Sequence, residues 1–210
     1  MNKKRNRIVL LCIIIISVIV VLFPYLKDSF LYKTSTKNGS ITLKQGNFTV
    51  GKDFSSGIYD IEVIEGSVHF SEISLHQGDK ILGIKFYKEG KISIDGNGKV
   101  RLEKAKFSRL KKDKNGDYFI QHSGYYRVGK QLQEGKYRLS FVDHEKTHNR
   151  KPFVQITSSD GTIRQSYSFE KKNQKQIKLN LKNQEILEIH KGFSNEYQNY
   201  VILLHPLSKS

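Results

Sequence analysis

Residues 46 to 59 read GNFTVGKDFSSGIY and residues 124 to 137 read GYYRVGKQLQEGKY, a self-similarity at a spacing of 78 residues. Both fit one pattern without a gap: Gly, any, aromatic, any, Val, Gly, Lys, any, apolar, two any, Gly, any, Tyr. Alternation then continues outward. Tyr59, Ile61 and Val63 interleave with Asp60 and Glu62, as Tyr137, Leu139 and Phe141 interleave with Arg138 and Ser140. Strict alternation puts one apolar set on one sheet face. Gly51 and Gly129 close a short strand, whereas Gly57 and Gly135 open the next, where positive φ or close backbone approach is useful. Gly46, Phe48, Val50, Gly51, Gly57 and Tyr59 in one copy, with Gly124, Tyr126, Val128, Gly129, Gly135 and Tyr137 in the other, therefore read as structural, and their apolar members as core. A repeat of this length means duplicated supersecondary units.

Beyond the opening, strand signals recur. The first copy has Lys80 to Phe86, then Lys91 to Ile94 joined to Lys99 to Leu102 through Asp95, Gly96, Asn97 and Gly98, the chemistry of a hairpin turn. The second has Phe153 to Thr157 joined across Ser158 to Gly161 to a strand near Arg164, then Ile177 to Leu181, Ile186 to Ile189 and Tyr200 to Leu204. Leu75 with Gly78, Asp79, Ile81 and Ile84 is similar to Leu181 with Glu185, Ile186 and Ile189. About six short strands per copy and no amphipathic helical window predict an all-β chain of two tandem small β-sandwiches, jelly-roll-like, at 40–105 and 118–207. Composition agrees, with one alanine (Ala105), no tryptophan, 11 Tyr and 12 Phe.

Before the repeats stands an apolar run from Ile8 to Leu26, preceded by Lys3, Lys4, Arg5 and Arg7. Its length suits one helical crossing, and the basic tail at 1–7 holds the N-terminus inside. The run is long, β-branched and lacks a small-x-small site before Phe23 to Leu26, so it reads as an uncleaved signal anchor. Residues 27–39 read as a stalk. Everything beyond is expected outside the cytoplasm. The one cysteine, Cys12, lies in the anchor, so no disulfide or outer thiol chemistry is available.

The formal charge is +16; with the four residues before the anchor set aside, 32 basic residues face 20 acidic ones. Such a field attracts polyanions. Lys104, Lys106, Arg109, Lys111, Lys112 and Lys114, in the basic linker at 106–117 and its edge, form the densest run, with Phe107 and Leu110 inside it; the run reads plainly as a solvated linker and, more sharply, as a polyanion contact site. Arg150 and Lys151, near Arg164, Lys171, Lys172 and Lys175, form a second group. Outside a cell the polyanions on offer are wall polymers and lipid headgroups, so nucleic acid is not an expected partner.

The opening motif resembles that of an extracytoplasmic repeat of Gram-positive bacterial proteins, in which GxYxVGxDIPxGxY begins each small β domain. Asp53 keeps that family's acid, whereas Gln131 replaces it in the second copy, and Ser55 and Gln133 stand where the family has proline. The resemblance implies a β domain on a secreted or membrane-anchored protein of poorly defined role.

No GxSxG, HExxH or outer cysteine is present, and the carboxylates have no paired context, so no catalytic residue is assigned and no cofactor is expected. His144 and His148, four apart, have ligand-like spacing but sit in a charged loop between strands, and no metal is assigned to them. The expectation is a non-enzymatic envelope protein contacting an anionic wall polymer or another envelope protein; the alternatives are a regulator or immunity-type partner and, behind it, an envelope hydrolase.

Overall fold

A computed structural model describes residues 35–37, 39–142, 152–167, 169, 176–191 and 201–207. The anchor at 8–26, the basic tail, residues 27–34 of the stalk, the pair His144 and His148, and the cations Arg150, Lys151, Lys171, Lys172 and Lys175 lie outside these residues.

The described residues are all-β, with no helix among them. A short strand, β1 (Ser35–Lys37), leads in. The first half follows as β2 (Ser40–Leu43), β3 (Gly46–Thr49), β4 (Gly57–Glu65), β5 (Ser67–Phe70), β6 (Ile73–His76), β7 (Lys80–Phe86), β8 (Lys91–Gly96) and β9 (Lys99–Lys104). The second half has β10 (Tyr118–Ile120), β11 (Ser123–Arg127), β12 (Gly135–Val142), β13 (Phe153–Thr157), β14 (Ile163–Tyr167), β15 (Gln176–Leu181), β16 (Ile186–His190) and β17 (Val201–Pro206).

In the first half, the order β2-β9-β4-β7 faces β3-β8-β5-β6; in the second, β10-β17-β12-β15 faces β11-β16-β13-β14. Adding eight to each strand number turns one half into the other. Each is an eight-stranded sandwich with jelly-roll strand order. The motif is the corner at which the chain leaves one sheet for the opposite one, from β3 to β4 and from β11 to β12. Val50 bridges Phe54 there as Val128 bridges Leu132. Gly51 N–H donates to Phe54 O (2.6 Å) and Gly129 N–H to Leu132 O (2.7 Å), both at positive φ (93° and 88°). Asp53 Oδ2 accepts from Thr49 N–H at 2.6 Å, and Gln131 Oε1 accepts from Arg127 N–H at 2.9 Å, so the substituted acid keeps its bond. Tyr59 and Tyr137 donate their hydroxyls back to Ser55 O and Gln133 O, each at 2.8 Å. All the motif aromatics and valines are buried.

Two of the sequence expectations change. Lys91–Gly96 and Lys99–Lys104 do not form a hairpin: β8 pairs with β3 and β5, β9 with β2 and β4. The Asp95 to Gly98 turn is a corner between sheets, with Gly98 so tightly enclosed that an added Cβ would lie 2.5 Å from Glu65 O. The matching of Leu75 with Leu181 also fails, because topology aligns Phe86–Ile94 with Leu181–Ile189. Glu89 (φ 66°) and Gln184 (φ 67°) occupy the same left-handed position, and Val50 N–H to Gly90 O matches Val128 N–H to Glu185 O, both 2.9 Å.

Two buried clusters fill the sandwiches, one drawn from Leu43 to Leu102 and the other from Tyr118 to Leu204. They are joined through a shared sheet. Strand β7 pairs in parallel with β11 (Ile81 with Ser123, Leu82 with Gly124), giving nine strands in the order β1-β2-β9-β4-β7-β11-β16-β13-β14. A bulge makes this join possible. Opposite Asp60, β7 carries an extra residue, and Gly83 (φ 71°) donates its N–H to Asp60 Oδ1 at 2.8 Å. The bend sends Leu82 against the second core.

Candidate polyanion interface

The six cations from Lys104 to Lys114 are all exposed, yet their ribbon is tied down at several points. Ala105 N–H donates to Ile58 O (2.9 Å) and Leu110 N–H to Gln131 O (3.0 Å). Leu110 packs against the second core, and Phe107, at φ 48°, lies beneath Arg127 (4.8 Å) and Lys130 (5.9 Å). Asp113 then turns the chain into β10 by accepting from Asn115 and Asp117 N–H, each at 2.8 Å. A loose, solvated linker is thus not what these residues form, because two apolar side chains and several backbone groups find partners on the sandwiches.

Two of the cations are locally engaged. Lys104 Nζ sits 4.1 Å above the Tyr59 ring and donates to Ser56 O at 3.1 Å, while Lys112 Nζ sits 4.9 Å above Tyr118 and donates to Gln133 Oε1 at 2.9 Å. Among the described residues, no carboxylate lies within ion-pair distance of any of the six. Elsewhere several cations do meet acids. Glu62 meets Lys80 and Arg101, and Arg164 is taken by Glu185 at 2.6 Å, which removes Arg164 from the second basic group. Lys52 and Lys130 are exposed at equivalent turns.

A second feature was not foreseen. On the outward face of the shared sheet, a cleft of about 400 Å³ runs across the join, with Lys85 and Tyr87 from the first half and Tyr125, Arg127, Gln155, Ile163 and Glu188 among its walls from the second. Tyr125, Glu188, Gln155 and Ser166 lie directly opposite one another on β11, β16, β13 and β14. Three of these side chains are joined by hydrogen bonds, Gln155 Nε2 to Glu188 Oε2 (3.1 Å) and Ser166 Oγ to Gln155 Oε1 (3.1 Å), with the Tyr125 phenol beside the Glu188 carboxylate. His190 Nε2 also meets Glu188 Oε1 at 2.6 Å. Burial and the neighbouring Glu188 carboxylate push the Tyr125 phenol up to about 12, so it remains a donor. The signal was present in the motif alignment, where inward residues match and the outward ones differ: Asn47 and Thr49 against Tyr125 and Arg127. A larger depression of about 690 Å³ at the Asp95 to Lys99 corner is lined mostly by turn residues, and its Glu65 is already paired with Lys99.

At the join itself, Lys191 is buried (5% exposed), donating from Nζ to Gln121 O at 2.6 Å and from its backbone to Ser123 Oγ at 3.0 Å. Burial pulls its ammonium down to about 8 against the attraction of Asp79 across the join. His122 is likewise held low by burial, with Lys80 and Lys191 adding repulsion.

No protein-family model matches this chain, and no curated protein matches it. Among solved structures it is similar to the CUB1-EGF-CUB2 domain of human MASP-1/3, at 10% identity, covering 83% of this chain and 95% of that one with a TM-score of 0.23. A likeness at that score carries no argument about this chain.

Proposed function

We propose that this protein is a membrane-anchored, extracytoplasmic and non-enzymatic binding or scaffolding protein of the cell envelope, whose basic ribbon holds an anionic wall polymer. The observation that carries the reading is the ribbon: six exposed cations along 104–114, on a backbone tied to both sandwiches, with no carboxylate partner among the described residues. Fixed cations lose less side-chain and backbone freedom on meeting a polymer than cations on a free tail. The anchor reading of 8–26 and the resemblance of the repeat motif supply the location.

The test is retention of the full chain on inorganic polyphosphate and on a poly(polyol phosphate). Binding should fall steeply as salt rises, since exposed charges are screened within about 8 Å at physiological ionic strength. Changing Lys106, Arg109 and Lys111 together to Ala should weaken it by at least about tenfold, as each cation near an anionic surface is worth about 1 kcal/mol. Retention unaffected at about 0.5 M salt would end the polymer reading and favour a regulator that grips a partner protein through an apolar patch.

A further inference from the structure

The two halves supply an internal control for the cleft. They share strand order, corner geometry and buried residues, so whatever the sandwich needs, both copies have. The outward face of β11-β16-β13 departs from that plan. Where the first half has Asn47, Thr49, Lys91 and Ser93, the second has Tyr125, Arg127, Ile186 and Glu188. The sandwich core does not call for this change, since the first half is built without it; what differs is that β11 lies beside β7 whereas β3 is an edge strand.

The changed residues make a site. Tyr87 is 66% exposed and Ile163 59%, large apolar surfaces left on the rim. Between them the floor is polar and already organised: the Glu188 carboxylate is held by Gln155 and His190 and has little freedom to lose on meeting a ligand. A volume of about 400 Å³ falls within the range of small-ligand pockets and is far below what a folded partner would cover. Lys85, from β7, and Arg127, from β11, both line the cleft with no carboxylate in ion-pair distance among the described residues. Each lies instead against a ring, Lys85 on Tyr87 at 4.6 Å and Arg127 on Phe107 at 4.8 Å. A flat aromatic rim, a floor of paired donors and acceptors, and two cations without anions call for a ligand with a C–H face, several hydroxyls and a negative charge.

We infer that the cleft across the join is a binding site for an anionic saccharide, one or two rings long, with its ring face on Tyr87, its hydroxyls on Glu188 and Gln155, and its acidic substituent between Lys85 and Arg127. The site is separate from the ribbon's own cations, meeting them only where Arg127 covers Phe107, and it needs both halves.

Calorimetric titration of the full chain with a hyaluronan tetrasaccharide, neutral chitotetraose and inorganic polyphosphate tests it. The hyaluronan tetrasaccharide should bind, and chitotetraose at least about tenfold more weakly, because the two cations would stay unmatched. Tyr125→Asn with Glu188→Ser installs the first half's own residues, which the sandwich accommodates. This variant should lose at least about tenfold in tetrasaccharide affinity and keep its polyphosphate binding. A wild-type chain that binds no saccharide, or a double variant that binds the tetrasaccharide as well as wild type does, overturns the inference. Polyphosphate binding without tetrasaccharide binding removes the cleft and leaves the ribbon standing; the reverse removes the ribbon alone.

Discussion

At Asn47 and Thr49 the first half turns plain polar side chains outward from a strand at the edge of a four-stranded sheet. At Tyr125 and Arg127 the second half uses the same two positions of the same motif inside a nine-stranded one. Inward, the copies are interchangeable: Phe48 with Tyr126, Val50 with Val128, Phe54 with Leu132, Tyr59 with Tyr137. The contrast teaches where the constraint lies. Packing fixes the face that both copies share, and only the copy whose edge strand meets β7 has a neighbour with which to form a cleft. Duplication supplied the sandwich, and the join between the copies created a surface that neither has alone.

The most severe way to break that asymmetry is to wedge the join. A Cβ on Gly124 would lie 2.6 Å from Leu82 O and 2.8 Å from Leu82 N, and one on Gly83 would lie 2.7 Å from Tyr125 O. These are backbone contacts that cannot swing aside. Gly124→Ala or Gly83→Ala should cost about 3 kcal/mol, combining overlap with strain at positive φ. Gly116→Ala isolates the strain, because φ there is 84° and nothing lies within 4 Å; it should cost only about 1 kcal/mol. Calorimetry of the three variants decides the matter. Equal losses at Gly83, Gly124 and Gly116 would mean that β7 and β11 are not in contact.

Lys191 stands where the first half has Gly96, and it predicts a pH dependence that belongs to the second half alone. Its folded value of about 8 lies below the ordinary lysine value of 10.5. Below pH 8 the ammonium is charged in both folded and unfolded chains, and the full cost of burying it is felt. Between pH 8 and 10.5 the folded chain releases the proton while the unfolded chain keeps it, so stability rises with pH across that window. The rise attributable to this group is at most about 3.5 kcal/mol, taking about 1.4 kcal/mol for each pH unit of displacement. Denaturant titrations at pH 7.5 and 10 for wild type and Lys191→Met read it as the difference between the two slopes. Identical slopes would show that the ammonium is in water.

How much of this was legible beforehand depends on whether neighbours in sequence are neighbours in space. Strand β7 was read as a strand from Lys80 to Phe86, the bounds it has in the structure. The motif corner was legible because its partners are within a dozen residues. The Asp95 to Gly98 turn was misread for the opposite reason: Asp-Gly-Asn-Gly chemistry serves equally a hairpin and a corner between sheets. What distinguishes them is Glu65 and Ser67 packed against Gly98, more than thirty residues away in the chain. The join was hidden for the same cause, its one local hint being a glycine inside an apolar strand, Gly83. The ribbon cations could be read as a charge run. The cleft could not, because its walls come from five strands.

A smaller asymmetry separates Asp53 from Gln131. Both cap the same backbone N–H, but Gln131 is buried and Asp53 is exposed. Gln131→Ala strands the Arg127 donor away from water and should cost about 1 to 2 kcal/mol, whereas water can replace Asp53, which should cost no more than about half as much. Urea unfolding of both variants ranks them. The reverse order would mean that the second corner is the more solvated.

The finest test asks whether the copies are equal where they look equal. Tyr59 and Tyr137 each donate to a carbonyl four residues earlier at 2.8 Å, and each ring is buried beside other aromatics, Tyr59 near Phe54 and Phe86, Tyr137 near Tyr118. Phenylalanine keeps the ring and removes only the hydroxyl, so Tyr59→Phe and Tyr137→Phe should each cost about 1 kcal/mol, or about 2 to 4 °C in melting temperature. Tyr59 Oη also accepts from Ser55 Oγ–H at 2.9 Å, but that hydroxyl sits on an exposed residue and water can replace it, so it should add little. A gap of more than about 1 kcal/mol between the two variants would mean that one corner bears more of its sandwich's stability than the other. The duplication would then be equal in geometry and unequal in energy, and the second half, which carries the cleft, could not be treated as the first half with a different outer face.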